Sequence, residues 1–136
     1  MAVMTAGVRE NDKELIRKSA VKLKEPYSVH LIADFECPKF IDDEDEIERI
    51  LYEAAKAANN TPLKTSVHQF PMQGVTGVIL LAESHISIHT WPEHNYLAID
   101  IFTCGRQTKP YEALEYFKKV FMPSRVKTQF IERGRP

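Results

Sequence analysis

The sequence has little net charge, few cysteines and no long apolar run. Its 136 residues carry a net charge of −1, which provides no basic face for nucleic acid. No apolar run approaches the ~20 residues that span a bilayer, and the stretch 10–18 is charged where a signal peptide would be apolar. Cys37 and Cys104 are too few for a disulfide framework and match no zinc motif. We therefore expect a cytoplasmic protein with free thiols that binds neither nucleic acid nor membrane.

The composition is that of one globular domain, with 43% hydrophobic and 27% charged residues. Residues 1–26 are mostly polar and are interpreted as an N-terminal appendage. Their composition is compatible with a short helix and with a mobile segment. Pro26 marks the predicted boundary. Residues 27–136 are expected to form the single domain.

Apolar spacing predicts six strands and two helices within that domain. The strands are predicted at 29–35, 63–71, 75–83, 85–90, 95–104 and 126–131. The acidic run 42–46 favours a helix start rather than a metal site, and Asn59 and Asn60 favour the end of that helix. A second helix is predicted from Pro110 to just before Pro123.

This pattern predicts the α+β class, with an antiparallel sheet and two helices on one face, forming two layers. Residues 78–82 are apolar on both faces of their strand, so both faces need cover. Two helices can cover only one face of a sheet this wide. A second copy of the chain is the simplest cover for the other face, which predicts a homodimer built as an αββα sandwich.

The segment 83–93 concentrates the chemically capable side chains. Ser84, His85, Ser87 and His89 follow directly on the apolar run 78–82. Polar groups at this density are costly to bury unless they have partners or a task. Together with a cysteine downstream, they are the parts of a nucleophile with acid and base groups at hand.

Three conventional interpretations fit these residues less well or remain open. His85 and His89 are four residues apart on a strand, about 13 Å, which is too far to share one metal ion. A metal site would need His68, His94 or Cys104 as well, and no compact ligand pair supports one. A serine hydrolase lacks its Gly-x-Ser-x-Gly elbow, although the spacing neither excludes nor supports it. Partly buried, hydrogen-bonded histidines with a structural role also remain open.

A different use of Ser84 fits the pattern better. Its hydroxyl could attack the carbonyl of the preceding Glu83 in an N-to-O acyl shift. Such a step needs a strained backbone, a group that stabilises the oxyanion and a base for the following elimination. Thr76 or Ser87 could supply the hydroxyl donor, and His89 could supply the base.

Over residues 28–134 the chain closely resembles the prokaryotic S-adenosylmethionine decarboxylase proenzymes. The resemblance is carried by residues 74–77 (GVTG), 83–93 (ESHISIHTWPE), 98–105 (AIDIFTCG) and 132–134 (ERG). A joined motif of this length, with matching spacing, is highly specific.

The resemblance implies a proenzyme that cleaves itself between Glu83 and Ser84 by ester formation and β-elimination. One product chain would end at Glu83, and the other would begin with a covalent pyruvoyl group made from Ser84. His89 matches the processing base, and Thr76 matches the processing hydroxyl. The pyruvoyl ketone would form a Schiff base with the substrate amine and act as the electron sink, without pyridoxal phosphate or a metal. Cys104 matches the proton donor, a step that suits a thiol.

The implied substrate is S-adenosylmethionine, decarboxylated for spermidine synthesis. Phe70 and Trp91 match the aromatic residues that sandwich the adenine, one ring being expected from the partner subunit. Glu93 matches the acid that accepts hydrogen bonds from the ribose hydroxyls. Without the resemblance, Phe70 and Trp91 would be assigned to the core. The resemblance also implies a homodimer with both sites at its interface.

Two alternatives remain, and the chain departs from the family pattern in places. The same scaffold could decarboxylate arginine or ornithine, or the chain could be an unprocessed, non-catalytic binding subunit. Thr76 stands where serine is more usual, the segment 35–38 is shortened, and residues 1–26 have no counterpart. Cys37 is predicted to be structural.

Overall fold

The computed structural model describes residues 9–14, 28–36 and 39–134. Their main elements, in chain order, are β1 (Ser28–Glu36), α1 (Glu44–Ala57), β2 (Pro62–Gln69), β3 (Val75–Leu81), β4 (Ser84–Trp91), β5 (Tyr96–Cys104), α2 (Pro110–Phe121) and β6 (Arg125–Arg133). A 3₁₀ turn, Pro92–His94, joins β4 to β5, and residues 10–14 are helical. Cys37 and most of the predicted appendage lie outside the described residues.

The strands form one antiparallel sheet in the order β2-β3-β4-β5-β1-β6. Helix α1 packs on β2 and β3, while α2 packs on β5 and β1 and contacts α1. Both helices lie on the same face, so the predicted α+β class is confirmed. No helix in the described parts of the chain is long and apolar enough to cross a membrane.

Helix α1 begins and ends where its sequence predicts. The Asp43 side chain caps it by accepting a hydrogen bond of 2.9 Å from the backbone N–H of Glu46, and acidic residues fill the first turn. The helix ends before Asn59, which adopts the left-handed conformation with φ of 57°. Its apolar stripe is fully buried against the sheet (Ile47, Ile50, Leu51, Ala54, Ala55). The acidic run is therefore a helix start, as predicted.

Helix α1 packs closely against the sheet at Gly77. A Cβ atom at this position would lie 3.1 Å from Leu51 Cδ1 and 3.3 Å from Val67 Cγ2, so glycine is required for close packing. Because side chains alternate along β3, the neighbouring Thr76 points to the opposite face of the sheet. The packing of α1 thus fixes which face of β3 carries Thr76.

The opposite face of the sheet, called the open face, is covered by none of the described helices. Leu80 and Ile131 on this face are 47% and 38% exposed. Polar and apolar side chains alternate across it (His30, Ile32, Asp34, Thr76, Val78, Leu80, His85, Ser87, His89, Asp100, Phe102, Ile131). Strand β4 therefore presents His85, Ser87 and His89 on the open face, whereas Ser84 belongs to the other face.

Candidate active site

The backbone is strained where β4 begins. Strand β3 ends at Leu81, two residues before its predicted end, because Ala82 and Glu83 form the turn into β4. Ser84 follows with φ of 145°, a conformation that residues other than glycine rarely adopt. Such strain persists only where the surrounding structure imposes it. The strained backbone required for an acyl shift is therefore found at Ser84.

The carbonyl group of Glu83 already accepts a hydrogen bond from the next strand. The backbone N–H of Cys104 donates to the Glu83 carbonyl oxygen at 3.1 Å. A donor at this position stabilises the negative charge that develops on the oxygen when the carbonyl carbon is attacked. Sequence reasoning assigned this task to a hydroxyl and missed the N–H. The contact follows from the β4–β5 register, which pairs Ser84 with Thr103 and so places residue 83 opposite residue 104.

The Cys104 thiol is free and half-buried at the end of β5. Its backbone bond to the Glu83 carbonyl places this cysteine directly beside the peptide bond that was predicted to break. We call Glu83, Ser84 and Cys104 the cleavage junction.

Thr76 and His89 form a hydrogen-bonded pair on the open face. They are direct partners in the β3–β4 register, and Thr76 Oγ1 lies 3.1 Å from His89 Nδ1. Ser87, the alternative hydroxyl donor, instead donates to the Asp100 carboxylate at 3.2 Å. The structure therefore brings together Thr76 and His89, and gives Ser87 a different partner.

Five of the predicted site residues line one cavity of about 260 Å³, together with Gln73 and Thr90. We call this cavity the aromatic pocket; its predicted members are Phe70, Thr76, His89, Trp91 and Glu93. Phe70 is 46% and Trp91 39% exposed. The core assignment that their residue type alone suggests is therefore wrong.

Tyr96 supports one wall of the aromatic pocket and was not anticipated from the sequence. Its ring stacks on Trp91, with centroids 5.2 Å apart and planes inclined by 16°. Its hydroxyl donates to the Asp34 carboxylate at 2.7 Å. Burial, and then the bond to Asp34, raise the pKa of Tyr96 to about 12, so the phenol keeps its proton and remains a donor. The register of β4 and β5, which pairs Trp91 with Tyr96, brings the two rings together.

The aromatic pocket and the cleavage junction lie at opposite ends of β4. Ser84 and His89 are separated by five residues of extended strand, which corresponds to about 16 Å. That distance is too long for proton transfer between their side chains. The structure of one chain therefore does not bring the predicted processing base to its predicted target.

Hydrogen-bonded side chains occupy the centre of the open face between the two groups. His30 Nε2 lies 3.0 Å from Asp100 Oδ1, and His85 packs edge-on against Phe102. Burial lowers the pKa of His85, and the nearby His30 and Arg133 lower it further. The carboxylate of Asp100 has the opposite effect but does not outweigh them. His85 is thus favoured in its neutral form. Across the described residues, no group of three or more His, Cys, Asp or Glu side chains is arranged to hold a metal ion.

Comparisons with known proteins give a consistent family assignment. The family model for S-adenosylmethionine decarboxylase matches residues 29–134. The S-adenosylmethionine decarboxylase proenzyme of Sulfurihydrogenibium sp. is 45% identical over 114 residues, covering 82% of this chain and 86% of the relative. The proenzyme of the same name from Aquifex aeolicus is 44% identical over 109 residues, covering 78% of this chain and 80% of the relative.

A solved structure extends the similarity from sequence to fold. The crystal structure of the adenosylmethionine decarboxylase from Aquifex aeolicus matches with a TM-score of 0.72 and 41% sequence identity. The match covers 80% of this chain and 92% of that one. Residues 29–134, which the family model matches, include the whole of the cleavage junction and the aromatic pocket. The chain therefore belongs to the S-adenosylmethionine decarboxylase family.

Proposed function

We propose that the chain is a self-cleaving proenzyme that becomes a pyruvoyl-dependent S-adenosylmethionine decarboxylase. One observation carries this proposal: the strained Ser84 directly follows a carbonyl group whose oxygen already accepts the Cys104 N–H at 3.1 Å. Strain raises the energy of the intact peptide bond, and the donor lowers the energy of the tetrahedral state. Both effects favour attack at the same carbonyl carbon.

The cleavage proceeds in two stages at this bond. Ser84 Oγ attacks the Glu83 carbonyl carbon, the C–N bond breaks, and the nitrogen gains the proton that the hydroxyl loses, leaving an ester and a free amine. A base then removes the Ser84 Cα proton, the Cβ–Oγ bond breaks, and Glu83 leaves as a carboxylate. Water replaces the nitrogen of the remaining enamine, and ammonia departs. The chain beginning at residue 84 is left with a ketone.

The residues around Ser84 fit the formation and use of such a pyruvoyl group. Once formed, the ketone supplies an electron sink for the bond that breaks when carbon dioxide leaves. The backbone N–H of Cys104 contacts this position, and its half-buried thiol is the group we assign to return a proton to the substrate carbon.

We further propose that the active unit is a homodimer formed through the open face. A two-fold axis lying across the strands would reverse the strand direction in the second copy. The Thr76–His89 pair of one copy would then face the cleavage junction of the other. This arrangement removes the separation of about 16 Å along β4 and also covers exposed Leu80 and Ile131.

The aromatic pocket suits the nucleoside part of the substrate. Phe70 and Trp91 offer ring surface for an adenine, and the Glu93 carboxylate in the same cavity can accept hydrogen bonds from ribose hydroxyls. Because Tyr96 already stacks on the Trp91 indole, the adenine is left with Phe70 and the uncovered part of the indole. The decarboxylated product would serve as the aminopropyl donor for spermidine synthesis in the cytoplasm.

An intact-mass spectrum of the purified protein under denaturing conditions tests the proposal. We expect two fragments, with the 84–136 piece lighter by one ammonia than simple hydrolysis would leave it. A single uncleaved chain would contradict the proposal and support a non-catalytic subunit.

Carbon dioxide release from each candidate substrate tests the substrate assignment. We expect release from S-adenosylmethionine. Release only from arginine or ornithine, which carry no purine for the aromatic pocket, would contradict the assignment.

Cys104→Ala should separate cleavage from turnover. Its contact with the Glu83 carbonyl is made by the backbone N–H, which alanine retains, so cleavage should continue. Loss of the thiol should lower decarboxylation per pyruvoyl group by about 10²- to 10⁴-fold, as expected for removal of a general acid. Gel quantification of the fragments and carbon dioxide release measure the two effects. Unchanged turnover by the cleaved variant would show that another group returns the proton.

A further inference from the structure

We propose that Thr61 is a positioning residue for self-cleavage, acting through the side chain of Glu83. This inference rests on the proposed cleavage between Glu83 and Ser84. Thr61 directly precedes β2 and does not belong to the cleavage junction or to the aromatic pocket. Its importance is visible only in the contacts that it makes with the turn between β3 and β4.

Three hydrogen bonds connect Thr61 to this turn. The backbone N–H of Thr61 donates to Glu83 Oε1 at 2.9 Å, and its hydroxyl donates to Glu83 Oε2 at 3.1 Å. The backbone N–H of Ala82 donates to the Thr61 carbonyl oxygen at 3.0 Å. Both oxygens of the Glu83 carboxylate are therefore held by one residue. Hydrogen bonds to a charged acceptor are stronger than those between neutral groups.

Glu83, which supplies the carbonyl group of the bond that must break, is thereby held at two points. Thr61 fixes its side chain, and the Cys104 N–H fixes its carbonyl oxygen at 3.1 Å. With both points fixed, the peptide plane between Glu83 and Ser84 cannot rotate to relieve the φ of 145° at Ser84. Strained backbone of this kind persists only where its surroundings over-determine it. The Thr61 contact is one of the constraints that maintain the strain.

Thr61 is itself held by a buried polar cluster at its neighbour. Asn60 is 8% exposed and donates to Thr108 Oγ1 at 3.0 Å, and Thr108 Oγ1 lies 2.8 Å from Thr103 Oγ1. Thr103 is the β5 partner of Ser84. The cluster therefore links the segment carrying Thr61 to the strand that contacts the cleavage junction. A fixed anchor is what a positioning residue requires.

The experiment compares rates of cleavage in pulse-labelled precursor made in a cell-free translation system. Thr61→Val keeps the shape and the backbone N–H but removes the hydroxyl, and should slow cleavage by about 10-fold or more, equivalent to about 1.4 kcal/mol in the barrier. Thr61→Ser restores a hydroxyl and should restore the rate. Thr65→Val is the matched control, because Thr65 donates a comparable bond of 2.7 Å to the Glu48 carboxylate away from the junction. It should cleave as the wild type does.

A double-mutant comparison separates positioning from general stability. In a Glu83→Ala background the partner of the Thr61 hydroxyl is gone, so Thr61→Val should produce no further slowing. If Thr61→Val slows cleavage by the same factor in both backgrounds, or if the single variant cleaves at the wild-type rate, Thr61 does not act through Glu83. Either result would overturn the role of Thr61 while leaving self-cleavage intact. If the wild-type precursor itself does not cleave, the proposed function fails, and the inference fails with it.

Discussion

Ser84→Ala should leave one uncleaved chain of 136 residues that releases no carbon dioxide from S-adenosylmethionine. Alanine lacks the Oγ atom that attacks the Glu83 carbonyl, so no ester forms and no ketone can arise at residue 84. The loss should be complete, because a backbone donor on the carbonyl oxygen cannot act without a nucleophile. Intact mass and carbon dioxide release measure both parts of the expectation.

The neighbouring serine of β4 provides the control for this variant. Ser87 lies further along β4 and donates its hydroxyl to the Asp100 carboxylate, so Ser87→Ala should still be cleaved. Normal decarboxylation by an uncleaved Ser84→Ala protein would refute the pyruvoyl mechanism.

The second large effect is expected when two inactive variants are produced together. His89→Ala alone should remain uncleaved, because no other assigned base is available. Co-expressed with Ser84→Ala, the His89→Ala chain should be cleaved, since it keeps its own Ser84 and receives His89 from its partner. The reason is geometric, because about 16 Å of strand separates these residues within one chain. Distinct tags on the two chains, followed by gel analysis, identify the chain that is cut.

A chain carrying both substitutions provides the matched control for the mixture. Paired with His89→Ala, it supplies no histidine at position 89, so neither chain should be cleaved. Absence of cleavage in the original mixture, with dimers confirmed by co-purification of the tags, would show that His89 acts within its own chain or not at all. That result would remove the main support for the shared site.

The local pattern of apolar and polar residues was enough to predict the helices and strands, but it did not predict the whole candidate active site. The helical repeat of α1 and the alternation in β4 are properties of neighbouring residues, so the faces carrying His85, Ser87 and His89 followed from spacing alone. The residues alone suggested Thr76 or Ser87 as the hydroxyl donor and His89 as the base, and the resemblance selected Thr76. The aromatic residue type of Phe70 and Trp91 wrongly suggested core positions. Both side chains are exposed, because they lie at strand ends that the helices do not cover.

Contacts that depend on strand register were out of reach of local pattern. The Cys104 N–H on the Glu83 carbonyl and the anchoring of Glu83 by Thr61 join residues about twenty positions apart. Periodicity specifies which face a side chain occupies, whereas register between strands is decided by turn geometry and packing. The separation of the aromatic pocket from the cleavage junction is a property of the same kind. It becomes apparent only once both are placed on one strand.

Cleavage after Glu83 would leave β1, β2 and β3 on one fragment and β4, β5 and β6 on the other. In the sheet, however, β1 lies between β5 and β6, and β3 pairs with β4. The two fragments would therefore be interleaved in one sheet and would stay together without a covalent link. A cut molecule that unfolds must find its missing half again, so its recovery depends on concentration in a way that the folding of the intact precursor does not. Cleavage would thus convert a fold that one chain can regain alone into an assembly that two fragments must form together.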